Sequence, residues 1–178
     1  MFLNSFLKIY FHTKYYDMAI AFKWVVNMDD IGFSSTYITN DMAKEFGFGH
    51  DRLYLKAREN TKRLLPAKVE KVNDYVKGLF LTPSGEKLSD IYVLTNIYRT
   101  EGAAHLMDLD LLRSVKEMMN SDYYVIPTSI HELLLIKEST VSAEKLKEGM
   151  RELSSTILSK EDYLSGNLYL FSNFINVV

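Results

Sequence analysis

Runs of apolar, β-branched and aromatic residues in the first part of the chain predict a β-hairpin. The run YYDMAIAFKWVVN, residues 15–27, is rich in β-branched and aromatic residues and has no helix cap, so it predicts one largely buried strand. Asp29 and Gly32 then favour a turn, and the run FSSTYI, residues 33–38, predicts the returning strand. Trp24 is the only tryptophan and lies in the first strand, so we expect it in the core.

Two helices are predicted after this hairpin. Thr39 or Asn40 is a suitable N-cap for the run TNDMAKEFGF, and Gly47 is a suitable C-cap. Residues 50–65 place apolar side chains on one helical face and charged side chains on the other, and Pro66 ends the pattern. This region therefore predicts a short helix followed by a longer one.

Strands and helices also alternate in the second part of the chain. Amphipathic helices are predicted at residues 107–120 and after Ser142. Short apolar runs predict strands, namely AKVEKV, IYVLTNIY (91–98), DYYVIPTS, HELLLIKE and the tail NLYLFSNFINVV. Neighbouring strands favour antiparallel pairing, so we predict an α+β fold, a mostly antiparallel sheet with about four helices packed on one face of it.

Length and composition add expectations about domains and location. A chain of 178 residues is expected to form a single domain, 1–178, and the polar run LTPSGEKLSD predicts a flexible loop near residues 81–90. The absence of cysteine excludes disulfides and thiolate metal sites and fits a reducing compartment. The N-terminus lacks the features of a signal peptide and no apolar run is long enough to span a bilayer, so we expect a cytoplasmic protein without membrane contact.

The segment IPTSIHE holds the first candidate for chemistry, because Ser129, His131 and Glu132 fall within four positions. On an extended strand Ser129 and His131 share a face, and a hydrolase would still need an acid to orient the imidazole. The alternative is a strand connection whose hydroxyl groups bond to the backbone. We favour the connection, and a small hydrolase remains as an alternative. No glycine-rich phosphate-binding motif occurs, and we expect no cofactor.

A second candidate is a basic segment at residues 44–77, in which basic residues outnumber acidic ones. In a nucleic-acid or ribonucleoprotein binder, this segment would contact phosphates. The candidate contacts are Arg52, Lys56, Arg63 and Lys68. The mixed signs along the segment also fit an ordinary solvated helix face, which is the interpretation we favour.

A third candidate is the segment HLMDLD, which offers His105, Asp108 and Asp110 as ligands for a metal ion. Acidic residues at this place also complement the dipole at the start of a helix. We favour the helix start and expect no metal. Partner contacts are expected at Tyr15, Tyr16, Asp29 and Asp30, and the tyrosines fit a homodimer contact equally well.

Several stretches together resemble a domain of unknown function, DUF5688. The marks are I-T-N at the start of the first helix, A-x-E-N-T in a helix ending in L-x-P, V-L-T-N in a strand, G-A-A before an acidic helix start, and I-P-x-S-I-H-E. The resemblance runs from about residue 15 to residue 171. It implies a family of gut Firmicutes that often occurs on phages and mobile elements. Relatives are commonly longer at the N-terminus, so we expect any function of that part to be missing here.

The resemblance implies no activity, and no catalytic motif stands out, so we expect a non-enzymatic interaction protein. Its partner would be a host protein that it inhibits, as an anti-CRISPR protein does. Nucleic-acid binding is the first alternative to this function, and hydrolysis is the second. Simple mimicry of DNA is disfavoured, because a net charge of −2 is far too small for it.

Overall fold

The computed structural model describes residues 7–29, 32–75, 90–154, 162 and 164–178. The chain folds as two compact units, residues 1–64 and residues 65–178. The single domain expected from the chain length stays a prediction. The loop expected near residues 81–90 lies, apart from Asp90, outside the described residues.

The first unit begins with two antiparallel strands, β1 (His12–Tyr15) and β2 (Met18–Ala21). The prediction of one continuous strand over residues 15–27 is therefore wrong. Tyr16 has a left-handed backbone with φ of 53° and turns the chain together with Asp17. A tyrosine rarely adopts this conformation, and a run of apolar residues gives no signal for such a tight turn.

A second hairpin follows, formed by β3 (Lys23–Met28) and β4 (Phe33–Tyr37), and it confirms the predicted antiparallel pair. The pairing shifts register between Val25 and Asn27, which is a β-bulge at Val26. Along β3 the side chains alternate in exposure, and Trp24 lies on the outer side with 48% of its surface exposed. The expectation that Trp24 lies in the core is therefore wrong.

Two helices complete the first unit, α1 (Asn40–Glu45) and α2 (His50–Leu64). Thr39 is the N-cap of α1, because its hydroxyl accepts a hydrogen bond of 3.1 Å from the amide of Met42. Gly47 follows α1 with φ of 65°, the left-handed conformation that suits glycine. The core of this unit consists of buried residues of the hairpins and α1 with partly buried residues of α2, namely Phe22, Ile38, Ala43, Leu53, Tyr54 and Ala57.

The second unit contains a six-stranded antiparallel sheet. Its strands are β5 (Ala67–Lys71), β6 (Ile91–Asn96), β7 (Tyr123–Ile126), β8 (Leu133–Lys137), β9 (Tyr169–Phe171) and β10 (Ile175–Val177). They lie in the order β10-β9-β7-β8-β6-β5, and every neighbouring pair is antiparallel. This sheet, together with the helices, confirms the predicted α+β class.

The helices of the second unit are α3 (Val72–Tyr75), α4 (Leu109–Met119) and α5 (Ala143–Ser154), with 3-10 helices at Gly102–Met107 and Glu138–Thr140. The hydroxyl of Tyr123 donates a hydrogen bond of 2.9 Å to the carbonyl of Leu112 in α4. Neighbouring Tyr124 instead belongs to a cluster that packs against Leu146 and Met150 of α5. Because adjacent strand residues face opposite sides, α4 and α5 cover opposite faces of the sheet. The expectation of helices on one face only is therefore wrong.

Candidate functional site

The connection between β7 and β8, residues 127–132, is held firmly against the end of β6. The carbonyl of His131 accepts hydrogen bonds from the Thr95 hydroxyl at 2.8 Å and from the Gly102 amide at 3.0 Å. The Ala103 amide donates to the carbonyl of Ile130 at 3.2 Å. We call this region the His131 junction and define it by Thr95, Asn96, Thr100, Glu101, Gly102, Ser129, His131, Glu132 and Asp162.

Ser129 is buried in the junction, with 3% of its surface exposed. Its hydroxyl donates to Oε1 of Glu132 at 2.7 Å and accepts from the backbone amide of His131 at 3.0 Å. Thr128 supports the same turn, because its hydroxyl donates to the backbone carbonyl of Glu132 at 3.1 Å. The hydroxyl proton of Ser129 is therefore directed to a carboxylate and not to an imidazole.

The ring of His131 contacts two other elements. Its Nδ1 accepts a hydrogen bond of 3.2 Å from the amide of Glu101, and the hydroxyl of Thr100 lies 3.3 Å from the same nitrogen. A nitrogen that accepts from an amide carries no proton, so the proton of the neutral ring is assigned to Nε2. That atom lies 3.5 Å from Oδ1 of Asp162. Both ring nitrogens thus face groups other than Ser129.

The segment that contacts the His131 ring, residues 97–101, contains left-handed backbone conformations. Arg99 and Glu101 have φ of 54° and 56°, although neither is glycine. The side chain of Asn96 holds this segment, because its Oδ1 accepts from the Tyr98 amide at 2.9 Å and its Nδ2 donates to the carbonyl of Thr100. Left-handed residues cost about 1 kcal/mol or more each, so hydrogen bonds are needed to hold them.

A hydrolase based on the Ser129–His131 pair would need a rearrangement of this junction. Ser129 would have to leave Glu132, and Nδ1 of His131 would have to leave Glu101. Sequence reasoning missed Thr100 and Asp162, which lie about 30 positions from His131 on either side and belong to no recognisable motif. The geometry fits a connection between β7 and β8 whose conformation is fixed by hydrogen bonds.

The candidate metal ligands have separate structural contacts. His105 is buried, and its Nε2 donates a hydrogen bond of 2.8 Å to the carbonyl of Leu65. Asp108 caps α4 by accepting from the amide of Leu111 at 3.3 Å, and Asp110 lies 3.1 Å from the guanidinium of Arg113. Within the described ranges, no three His, Asp or Glu side chains are grouped so that they could hold a metal ion.

The basic candidates are divided between the two units. Arg52, Lys56 and Arg63 are spaced four and seven positions apart and lie along one exposed side of α2. Two of them have local acceptors, since Lys56 lies 2.7 Å from Glu59 and Arg63 bonds to Asn60. The fourth, Lys68, belongs to β5 of the second unit and lies 2.8 Å from Glu70.

Three of the four residues expected to contact a partner lie within the described ranges. The rings of Tyr15 and Tyr16 meet edge to face with centroids 4.8 Å apart, and 42% of Tyr16 is exposed. Asp29 accepts a hydrogen bond of 3.0 Å from the amide of Gly32, which closes the turn before β4. Asp30 lies outside the described residues.

A group of exposed apolar side chains on the first unit was not anticipated from the sequence. Trp24, Val26 and Phe46 are 48%, 69% and 53% exposed. The ring of Trp24 meets the ring of Phe46 edge to face at 6.1 Å, and Phe46 lies 5.7 Å from Phe48, which packs on the core of this unit. We call Trp24, Val26 and Phe46 the aromatic surface.

The fold and the His131 junction define an α+β protein whose conspicuous polar cluster lies in a strand connection. A family model described as a family of unknown function, DUF5688, matches residues 4–173 of the 178-residue chain. The chain therefore belongs to the DUF5688 family, as its motifs indicated. Searches of curated proteins and of solved structures gave no match.

Three of the motifs that carry the resemblance meet in the His131 junction. V-L-T-N supplies Thr95 and Asn96, G-A-A supplies Gly102, and I-P-x-S-I-H-E supplies Ser129 and His131. Their hydrogen bonds join β6, the 3-10 helix and the β7–β8 connection. These motifs therefore describe one architectural unit of the fold.

None of the described helices is long and apolar enough to cross a membrane.

Proposed function

We propose that this DUF5688 protein is a non-enzymatic interaction protein that binds another protein through the aromatic surface. The observation that carries the proposal is the exposure of Trp24, Val26 and Phe46 together on one unit. Scattered exposed apolar residues are ordinary, but a group that includes a half-exposed tryptophan is typical of a binding surface.

The packing beneath the aromatic surface supports this function. The ring of Trp24 meets Phe46 edge to face, and Phe46 contacts Phe48, which packs against the core of this unit. These contacts hold the rings in place before binding. Aromatic side chains that are already ordered lose little conformational entropy on binding. A tryptophan in such a position commonly contributes several times more than its neighbours to the binding free energy.

The partner we propose is a host protein that is inhibited when this chain covers it. The more specific form, inhibition of a defence protein such as a CRISPR effector, is supported only by the mobile-element occurrence that the family resemblance implies. The alternative partner to be tested at the aromatic surface is another copy of this chain, which would make a homodimer.

The test is a comparison of three tagged chains: wild type, Trp24→Ser and Leu55→Ser. Leu55 is the matched control, because it is 61% exposed on α2 and lies outside the aromatic surface. Each chain is used to capture partners from the lysate of a gut Firmicute treated with nuclease. The captured partner is then purified and titrated by calorimetry, and sedimentation of the chain alone measures self-association.

The expected result is one stoichiometric protein that Trp24→Ser binds at least about 30-fold more weakly, while Leu55→Ser binds it as wild type does. Equal binding by both variants would reject the aromatic surface. A sedimentation change on Trp24→Ser without any captured protein would assign the surface to a homodimer.

The alternative function is nucleic-acid binding by the stripe of Arg52, Lys56 and Arg63 on α2. Its support is the alignment of three exposed basic side chains, and Glu59 next to Lys56 weakens it. The affinity for a nucleic acid would fall steeply as salt rises, because each phosphate contact releases counterions. An Arg52→Gln, Arg63→Gln variant would lower that slope, and a flat salt dependence would reject this alternative.

A further inference from the structure

The second unit contains an open cleft of about 460 Å³ between the 3-10 helix Glu138–Thr140 and the start of α5. A cavity of this size is in the range of pockets for small molecules. Its polar lining combines a phenol, two carboxylates and three hydroxyl groups, namely Tyr124, Glu138, Glu144, Ser139, Thr140 and Ser142. Neither the aromatic surface nor the His131 junction contributes to it.

Tyr124 forms the buried side of the cleft. Only 6% of its surface is exposed, and its ring packs in an apolar cluster with Ile126, Ile136 and Leu168. The hydroxyl is therefore the part of this side chain that reaches the cleft. Among the residues that the structure describes, this hydroxyl makes no hydrogen bond. Because a buried hydroxyl normally has a partner, this one is available to a bound molecule.

Two carboxylates flank this hydroxyl. Glu138 and Glu144 are exposed, and within the described part of the chain neither side chain makes an ion pair or a hydrogen bond. Burial raises the pKa of the Tyr124 phenol, and the charges of Glu138 and Glu144 raise it further. A carboxylate has this effect only from nearby, so both of them lie close to the phenol.

No basic side chain offsets these two charges among the described residues that line the cleft. Tyr124 pairs with Ile136 across the sheet, so the next residue, Lys137, lies on the opposite face together with Tyr123. There, the Lys137 ammonium lies 3.9 Å from Asp90. The cleft therefore presents two negative charges around a buried hydroxyl.

The acceptor set decides which ligand fits. The start of a helix attracts anions, but two carboxylates already lie at the start of α5, and the Ser142 hydroxyl lies 3.5 Å from the amide of Lys145. In the described ranges, no three His, Asp or Glu side chains are grouped for a metal ion. Carboxylates only accept hydrogen bonds and a phenol oxygen can accept one, whereas a primary ammonium has three donors and no acceptor.

We propose that this cleft binds a small organic amine, whose primary ammonium donates to Glu138, Glu144 and the hydroxyl of Tyr124. Carboxylates are ordinarily ionised at neutral pH, so the preference for a cation requires no titration in that range. The ring of Tyr124 is covered by its apolar neighbours and offers its hydroxyl instead of a free ring face. An ammonium that carries N–H groups therefore binds more tightly than a quaternary ammonium, which depends on such a face.

The test is an NMR titration of the full chain with 1,4-diaminobutane, followed through the backbone amide signals. The amides of residues 139–144 report on the cleft, and those of α4, on the opposite face of the sheet, serve as internal references. Butane-1,4-diol has the same length without charge, and tetramethylammonium has the charge without N–H groups. The expected result is a saturable shift at residues 139–144 with the diamine at millimolar concentrations, weaker with tetramethylammonium and absent with the diol.

Matched variants separate this site from a general charge effect. Glu138→Gln and Glu144→Gln each remove one carboxylate of the cleft and should weaken binding of the diamine by at least about threefold. Glu117→Gln removes an equal charge from an exposed position of α4, outside the cleft, and leaves binding unchanged. A melting curve for each variant establishes that it is folded.

Tyr124→Phe distinguishes a built site from a diffuse acidic surface. It removes only the hydroxyl and leaves both carboxylates, and we expect the diamine to bind about threefold or more weakly because one hydrogen bond is lost. The hydroxyl has no partner among the described residues, so the variant should melt no lower than wild type.

Four results would overturn the proposal. These are no saturable shift with the diamine, equal binding of the diamine and tetramethylammonium, equal weakening by Glu144→Gln and Glu117→Gln, and unchanged binding by Tyr124→Phe. A response to Mg²⁺ at lower concentrations than to the diamine would also reject it, because the carboxylates would then hold a metal ion. None of these results bears on the aromatic surface, so this proposal and the proposed protein partner can fail separately.

Discussion

At the scale of single residues, Gly102 occupies a place where a side chain does not fit. A Cβ at this position would lie 2.5 Å from Cα of Thr95 and would also collide with the carbonyl of His131. Both obstacles are backbone atoms, which cannot move without shifting β6 or the β7–β8 connection. The Gly102→Ala variant is therefore expected to lose about 3 kcal/mol of unfolding free energy, measured by chemical denaturation.

The control for this substitution is Gly149→Ala in α5. No atom lies within 4 Å of the added Cβ, and alanine is the better helix former. We expect this variant to gain about 0.5–1 kcal/mol of unfolding free energy. A similar loss in both variants would contradict the close approach at Gly102.

Tyr123 makes stability depend on pH in the alkaline range. Burial raises the pKa of its phenol above the ordinary value of 10.0. Between the two pKa values the unfolded chain releases a proton that the folded chain keeps. The contribution of the protonated Tyr123 phenol to the free energy of unfolding is therefore complete below about pH 10. It is lost as the pH rises toward the pKa of Tyr123 in the folded chain.

The measurement is the free energy of unfolding of wild type and Tyr123→Phe from about pH 9 to about pH 11. The variant loses the hydrogen bond to Leu112 and is expected to be less stable by about 1 kcal/mol at neutral pH. Its stability should then fall less steeply as the pH rises. Tyr124, whose pKa is also raised by burial and by Glu138 and Glu144, is present in both chains. Parallel curves would show that Tyr123 contributes nothing to the pH dependence.

At the scale of elements, the residue before α4, Asp108, could by its sequence be either a helix N-cap or a metal ligand. Asp108 accepts a hydrogen bond from the amide of Leu111, which is the role of an N-cap. Asp108→Ala is expected to cost about 1 kcal/mol of unfolding free energy, whereas Asp108→Asn, which retains an acceptor oxygen, costs only a few tenths. Stability that depends on added Mg²⁺ or Zn²⁺ and is lost in Asp108→Asn would favour the metal site instead.

Among the helices and strands, the sequence predicts the helix ends better than it predicts turns or the exposed face of a strand. Thr39 marks the start of a helix by its side-chain hydroxyl, and Gly47 and Pro66 mark helix ends by their backbone chemistry. The structure places those ends within a residue or two of them. The turn at Tyr16 was missed because a left-handed tyrosine has no local signature and is held by its surroundings. The outward position of Trp24 was missed because apolar character does not tell which face of a two-stranded sheet is covered.

In the candidate site, too, some features have a local sequence signal and others depend on the fold. The segment IPTSIHE could be interpreted as a strand connection because its hydroxyl groups lie next to a turn. The partners Thr100, Glu101 and Asp162 are brought to His131 only by the fold, and their separation in sequence hides them. The aromatic surface combines β3 with the end of α1, so neither segment alone predicts it.

At the scale of the whole molecule, the sheets of the two units differ in how they are covered. The six-stranded sheet has α4 on one face and α5 on the other, and its strand β7 is buried at every position. The sheet of β1 and β2 has two strands, and such a pair is marginal unless it is covered. The backbone amides of the two sheets should therefore exchange hydrogen at different rates.

The prediction is that amides of β7 and β8 exchange at least about 100-fold more slowly than those of β1 and β2, measured by native-state hydrogen exchange. Opening the central strands exposes residues that are buried on both faces, whereas opening the first hairpin exposes few. Equal protection of the two sheets would mean that the hairpin opens only when the molecule unfolds completely.

The strand order of the six-stranded sheet also has a consequence for synthesis on the ribosome. Strand β6 pairs with β8, which leaves the tunnel about 40 residues after it, so at about 5–20 residues per second β6 waits roughly 2–8 s for this neighbour. During that interval the apolar run IYVLTN has only β5 beside it, among the strands that the structure describes. Pauses in translation after β6 has left the tunnel and before β8 has left it should therefore increase aggregation of the nascent chain, whereas pauses while β6 is still inside the tunnel should not.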